Sequence, residues 1–265
     1  MTTTTHLGMT HLQAGSAAAE ITVNEALDAI DAHLARFAPD SLLALRIVEH
    51  FTGGALSNGA PFSLSSSGTG SGYDGTVASE AGHPGIGQLS TGTTTTGYAF
   101  MASKSGALCV FGSDAWTFRC AFKLPVVSDG TDTYTFIAGF GDTPTAAAQT
   151  DGAFIRYTHG TNSGKFQCVT ESNTTETATD SGVTVAADTW YRLDISVNLA
   201  GTSVTFTLKT ASGDPVLVAT NTTNIPTTSA RATGILLGLI KSAGTTARTV
   251  LVDLMDAGCV LGASL

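Results

Sequence analysis

The candidate binding chemistry of this chain lies on one strand-like segment around residue 190. Trp190, Arg192 and Asp194 alternate with apolar residues, so a β-strand would place all three on one face. An aromatic ring beside planar polar groups suits sugar binding, because the ring stacks on an apolar sugar face while the polar groups hold hydroxyls. Tyr157 and His159, at the end of another strand, form a second candidate patch. The alternative is structural, with Trp190 packed against a second layer and Arg192 paired with Asp194.

The remaining reactive residues do not form a recognisable catalytic motif. Glycoside hydrolysis needs two carboxylates about 5–10 Å apart, and the sequence has no carboxylate cluster with that kind of spacing. Glu171 and Glu176 flank a Thr-rich turn, and the spacing of Asp253 and Asp256 predicts opposite faces of a regular strand. A Gly-x-Ser-x-Gly motif is absent, and the six histidines are scattered. We therefore expect a protein that is not an enzyme.

Metal and cofactor sites are not expected either. The four cysteines lack the spacing of a zinc motif, and their apolar neighbours predict buried thiols. A bridge between Cys109 and Cys120 stays open as an alternative. Asp129, Asp132 and Asp142 lie in predicted loops and have the oxygen ligands that calcium prefers, but aspartate is also an ordinary turn residue. The sequence predicts no metal and no cofactor, with a loop calcium ion left open.

The elements that would position these residues are β-strands. Segments 116–124 and 190–197 alternate between apolar and polar residues, and the second continues through a turn into a predicted hairpin ending at residue 209. The Gly- and Ser-rich stretch 53–75 predicts a long loop or a set of loose turns. About a dozen short strand patterns separated by turn residues predict a mainly β domain, a jelly-roll β-sandwich, over residues 41–265.

The segment before this domain predicts one short α-helix with a narrow apolar stripe. Residues 22–38 begin with a Thr-x-x-Glu capping box and end before Pro39. Their apolar positions are spaced alternately four and three apart, as in a coiled-coil seam: Val23, Leu27, Ile30, Leu34 and Phe37. Such a stripe predicts burial against partner helices in a homo-oligomer, for which we favour a trimer; the alternative is packing on the chain's own β domain. Residues 1–21 are predicted to form an extended docking arm.

The composition argues against several classes of partner. Charged residues make up 12% of the chain, against roughly 25% in an average globular protein, and the formal net charge is −9. The sequence has no run of lysine and arginine, which argues against nucleic-acid binding, and its acidic balance argues against anionic membranes. The sequence shows no signal peptide and no transmembrane pattern, so we expect synthesis in a host cytoplasm without export by the general route.

Two parts of the sequence resemble known families. The leader resembles the N-terminal segment of bacteriophage and gene-transfer-agent structural proteins, although residues 15–22 are less polar than in those chains. The matching residues are His6, Leu7, Gly8, Gln13, Ala14, Val23, Asn24, Glu25, Ala26, Leu27 and Asp31. Residues 82–100, 188–208 and 221–226 are similar to concanavalin-A-like (laminin-G-like) sandwiches of phage fibre proteins.

The resemblance implies a virion protein, a fibre or spike of the tail or head. Residues 1–38 would attach it to other virion proteins and form the trimer, and the sandwich would hold a host surface glycan. The alternative is a purely structural capsid decoration or fibre-base protein without a ligand. A polysaccharide-cleaving enzyme is less favoured, because the carboxylate pair is missing.

Overall fold

The computed structural model describes residues 44–52, 62–210 and 213–261. Within these ranges, helix is limited to two 3₁₀ turns, Asn162–Gly164 and Ser229–Arg231. The strands are, in chain order, β1 (Ala44–Glu49), β2 (Phe62–Ser67), β3 (Ser71–Asp74), β4 (Gly87–Thr91), β5 (Tyr98–Ser103), β6 (Asp114–Lys123), β7 (Thr133–Gly141), β8 (Gly152–Thr158), β9 (Lys165–Ser172), β10 (Thr175–Thr184), β11 (Trp190–Val197), β12 (Val204–Thr210), β13 (Pro215–Asn221), β14 (Gly234–Ala243) and β15 (Thr249–Leu261).

The strands form two antiparallel sheets. Sheet I has eight strands in the order β13-β12-β11-β6-β15-β4-β3, with β1 also paired to β15. Sheet II has seven strands in the order β10-β9-β8-β7-β14-β5-β2. The predicted mainly β, jelly-roll sandwich is confirmed.

The core lies between the two sheets and is built largely from aromatic rings. Phe118 and Phe122 of β6 face inward, as the alternation of that strand predicted, and both are fully buried. They contact Phe140 and Phe136 of β7, with ring centroids 5.9 Å and 4.6 Å apart respectively. Trp116, predicted to be a core residue, is buried at the end of the same row. This packing fixes β6 and its neighbours in sheet I, whose outer face carries the candidate site.

Two strands lie where the sequence predicted a long loop. β2 and β3 belong to the Ser- and Gly-rich stretch, and in β2 the buried residue is Phe62. A hydrophobic period is absent because both are edge strands, whose backbones pair with β5 and β4 while most of their side chains stay outside the core. The loop prediction for residues 62–74 was therefore wrong.

The four cysteines are buried free thiols, as predicted, and Cys109 and Cys120 are not bridged. Burial raises the pKa of Cys168 to about 12 and that of Cys120 well above the ordinary range of a thiol. These side chains are therefore inert packing groups rather than nucleophiles.

The predicted arm (1–21) and helix (22–38) lie outside the described residues, and so do the five apolar positions of the predicted seam: Val23, Leu27, Ile30, Leu34 and Phe37. The trimer therefore stays a prediction. In the part of the chain that the structure describes, no helix is long and apolar enough to span a bilayer.

Candidate functional site

A groove of about 520 Å³ crosses the outer face of sheet I. Its floor is formed where β11, β6 and β15 lie side by side: Arg192 pairs with Ala121, and Ala121 pairs with Leu254. The small side chain of Ala121 keeps the centre of the floor low. Trp190, predicted from the sequence as a sugar platform, lines the groove together with Arg192.

A tight turn before β4 forms one wall of the groove. The backbones of Glu80 and His83 pair across this turn, with N···O distances of 3.1 and 2.9 Å. Gly82 at its tip has a φ of +82°, a left-handed conformation that glycine adopts without strain. The turn places the side chains of both Glu80 and His83 against Trp190.

The aromatic surface is a stack of two rings. The imidazole of His83 lies 3.9 Å from the indole of Trp190, with an interplanar angle of 14°. Its Nδ1 is 2.9 Å from Oδ2 of Asp253, which fixes the orientation of the imidazole. His83 therefore covers one face of the indole, and the ammonium of Lys123 lies over the same ring, 5.5 Å from its centroid.

Asp253 reaches this position because β15 contains a β-bulge. Val252 pairs with Phe122 and Leu254 pairs with Ala121, so Asp253 is an extra residue between two paired ones. The bulge shifts the alternation by one residue, which also leaves Asp256 on the outer face, where Arg46 donates two hydrogen bonds to it. The prediction that Asp253 and Asp256 lie on opposite faces was wrong for this reason.

An ion pair between buried Lys123 and exposed Glu80 holds the indole edge. Lys123, 6% exposed, donates to Glu80 at 2.7 and 2.9 Å, and Trp190 Nε1 donates to the same carboxylate at 2.8 Å. Hydrogen bonds from Lys123 and then Trp190 lower the pKa of Glu80. Although burial opposes its charge, contacts with Glu80 and Asp188 raise the pKa of Lys123 above its ordinary value. Both groups are therefore ionised at neutral pH.

Arg192 lies exposed at the floor and has no ion pair or hydrogen bond with any described residue. The structural alternative paired it with Asp194, but the Asp194 carboxylate instead lies 3.3 Å from Arg119 and 3.8 Å from Lys209. That pairing prediction was wrong. Asp194 shares the outer face of β11 as predicted, but it does not line the groove, and its carboxylate is within ion-pair distance of Arg119 and Lys209.

The second predicted patch does not form. Tyr157 is 4% exposed and packs in the core, where its hydroxyl accepts a hydrogen bond from the backbone N–H of Ser128. A buried ring cannot stack on a ligand at the surface, so Tyr157 is excluded as a platform. His159 is exposed in the turn after β8, on sheet II, and it does not line the groove.

The family follows from the sequence around this groove. Residues 82–253, which include His83, Trp190 and Asp253, match the family model described as "SO2946-like, C-terminal domain". The chain belongs to this family. No curated protein matches the sequence.

Solved structures similar to this SO2946-like domain share its fold. The protein of unknown function SO2946 from Shewanella oneidensis MR-1 superposes with a TM-score of 0.64 at 17% identity, over 84% of this chain and 89% of that one. An endo-1,3-β-glucanase from Streptomyces sioyaensis superposes with a TM-score of 0.51 at 12% identity, over 83% of this chain and 97% of that one. Lectin UEA-II complexed with galactose superposes with a TM-score of 0.51 at 10% identity, over 81% of this chain and 98% of that one. At these identities the likeness establishes a lectin-like sandwich and leaves function open.

The three aspartates considered for calcium in this SO2946-like domain already accept hydrogen bonds from the protein, Asp142 from the backbone N–H of Thr150 and the hydroxyl of Thr143. Asp129 accepts hydrogen bonds from the backbone N–H groups of Asp132 and Thr131 and from Arg248, which lower its pKa to about 2. Asp132 accepts from the backbone of Thr246 and lies 3.5 Å from Arg248. These carboxylates hold a buried arginine in place. In the described ranges, no three His, Cys, Asp or Glu side chains are grouped so that they could hold a metal ion.

Sequence reasoning missed Glu80, His83, Lys123 and Asp253. They come from three separate elements, the turn at residues 80–83, β6 and β15, and the contacts His83–Asp253 and Trp190–Glu80 join residues 170 and 110 positions apart. The strand alternation did place Lys123 on the outer face of β6. The pairing of β6 with β11, which sets Lys123 beside Trp190, has no local sequence signal.

Proposed function

We propose that this SO2946-like domain binds carbohydrate in the groove over β11. The observation that carries the proposal is the combination, in one groove, of an aromatic stack, His83 on Trp190, with the guanidinium of Arg192, which has no partner among the described residues. The stack offers an apolar surface to a sugar ring, and the guanidinium offers fixed donors to its oxygens. The shared fold of a lectin solved with galactose is consistent with this use of the sandwich.

We further propose that the binding serves attachment of a virion to its host. The support is the resemblance of the leader, from His6 to Asp31, to phage and gene-transfer-agent structural proteins. In this proposal residues 1–38 dock onto other virion proteins and form a homotrimer, and the sandwich is a fibre or spike head. A trimer strengthens weak sugar contacts through multivalency.

A purely structural role is the second candidate, and a specific observation favours it. The polar groups around Trp190 satisfy one another: Glu80 with Lys123, and His83 with Asp253. Such a network could serve only to clamp the turn at residues 80–83 onto sheet I. In that case the protein would be a capsid decoration or fibre-base component whose sandwich packs or spaces without a ligand.

Binding without cleavage is the form of the proposal that we favour. Asp253, the carboxylate that lines the groove, is held by His83, so it is not one of two free carboxylates flanking a sugar bond. The fold shared with a glucanase does not supply such a pair. Release of new reducing ends from host polysaccharide by the purified protein would contradict this part of the proposal.

The deciding experiment is binding of the full chain to a glycan array and to host cells. Arg192→Ala should weaken binding, because it removes the free donor group from the groove. Arg46→Ala is the matched control, since it removes an exposed arginine of sheet I outside the groove and changes the net charge equally. Trp190→Ala should abolish binding. A flat response of the wild-type chain on the array and on cells would favour the structural role.

The trimer is tested separately by light scattering. Leu27→Asp together with Ile30→Asp places charges in the predicted seam and should reduce the native mass to that of a monomer. An unchanged mass would refute the helical bundle and would leave the groove unaffected.

A further inference from the structure

We infer that the groove binds acidic carbohydrate. An anionic substituent of the sugar, preferably a carboxylate, is held between Arg192 and Lys209. This inference rests on the carbohydrate binding proposed above and names its ligand class.

The first argument is the placement of two cations side by side. Arg192 on β11 and Lys209 on β12 are direct cross-strand partners on the outer face, and both line the groove. Side chains in this arrangement start about 5 Å apart, and like charges directly opposite destabilise a sheet unless an anion compensates them. A ligand anion between the two side chains would remove that repulsion.

The second argument is that the described carboxylates compensate this pair of cations only in part. Arg192 has no partner among the described residues, and Lys209 lies 3.8 Å from Asp194, beyond a good hydrogen bond. Asp194 is shared with Arg119, at 3.3 Å. The next carboxylate on this face, Asp256, is held by two hydrogen bonds from Arg46. Arg192 therefore carries a positive charge that no described carboxylate compensates, and Lys209 shares a single carboxylate with Arg119, on a chain whose formal net charge is −9.

The third argument concerns neutral sugars, whose hydroxyls need acceptors for their hydrogens as well as donors to their oxygens. Asp253 in the groove already binds His83, and Glu80 beside it accepts from Lys123 and Trp190. The remaining charged groups are donors. A planar carboxylate fits the two parallel N–H groups of a guanidinium, and the His83–Trp190 stack would contact the apolar face of the sugar that bears it.

The test compares charged and neutral forms of one polymer with the full chain. Polygalacturonate and its fully methyl-esterified form share a backbone and differ in the carboxylate charge; alginate and hyaluronan extend the panel. We expect binding to at least one uronate polymer, and binding about tenfold or more weaker after esterification, the usual scale for losing a charge-assisted hydrogen bond. Arg192→Gln and Lys209→Gln should each weaken binding to the acidic form, and Arg46→Gln should not.

The outcomes separate this inference from the proposal on which it rests. Binding of neutral polysaccharide that is lost in Trp190→Ala but unchanged in Arg192→Gln would overturn the acidic ligand and keep the carbohydrate site. No binding to any polymer or to host cells would overturn both. Binding to dextran sulfate that is lost in Arg192→Gln would keep the anion site and assign it to sulfate esters.

Discussion

Replacing Glu171 with glutamine should change how the stability of the sandwich depends on pH. Glu171, on β9, is 7% exposed and lies directly opposite Glu176 on β10. Burial, and then the charge of Glu176, raise the pKa of Glu171 from its ordinary 4.5 to about 6. Arg156 offsets only part of this, because hydrogen bonds of 2.6 and 2.8 Å tie its guanidinium to Glu176.

The size and sign of the effect follow from this raised pKa. Between about pH 4.5 and about pH 6, folded Glu171 keeps a proton that the unfolded chain has released, so the free energy of unfolding falls as the pH rises through that window. The shift is about 1.5 pH units, and at 1.36 kcal/mol per unit it corresponds to about 2 kcal/mol. Below the window both states are protonated and this contribution is absent. Above it the whole destabilisation is present.

The assay is chemical denaturation of the wild-type chain and Glu171→Gln at several values from about pH 4 to about pH 8. The difference in free energy of unfolding, variant minus wild type, should rise by about 2 kcal/mol across that range, because glutamine cannot ionise. Asp214→Asn, which removes an exposed carboxylate, is the control and should give a nearly constant difference. Parallel curves for wild type and Glu171→Gln would refute the claim that burial of this carboxyl controls the pH response.

Two further predictions concern stability. Asn221, 3% exposed, hydrogen-bonds from sheet I to groups on β9 and β10 of sheet II, so Asn221→Ala should cost about 2–4 kcal/mol in denaturation, with little effect from the exposed control Thr222→Ala. Gly139 has a φ of +146°, and an added Cβ would lie 2.5 Å from the carbonyl oxygen of Ala153. Gly139→Ala should therefore lower the free energy of unfolding by more than about 1 kcal/mol. Gly106→Ala is the control and should not lower it, because its added Cβ would meet nothing within 4 Å. Equal effects of the two substitutions would contradict the steric argument.

The strands that could be predicted are those with their own alternating pattern. β6 and β11 alternate over their whole length because one face of each is buried in the core and the other faces out. Trp190 and Arg192 could therefore be placed together on an outer face from the sequence alone. β2 and β3 lack such a pattern, because edge strands of serine and glycine are specified by their neighbours.

Contacts between distant elements account for the part of the site that could not be predicted. The turn at residues 80–83 contributes Glu80 and His83 only because β4, which follows it, lies beside β15 in sheet I. A single sequence contains the turn but not that neighbour. For the same reason Tyr157 looked like a surface residue, although the register of β8 turns its ring into the core.

The bulge in β15 shows how one extra residue determines the chemistry of the face. In a regular strand, side chains alternate, so Asp253 and Asp256 could not both point outward, and one carboxylate would face the apolar core at a cost of several kcal/mol. The bulge removes that conflict. Because of the bulge, Asp253 contacts His83 and Asp256 accepts hydrogen bonds from Arg46. The contact with Asp253 fixes the imidazole of His83, which stacks on Trp190. The aromatic surface of the groove thus depends on an irregularity that a strict period-two analysis excludes.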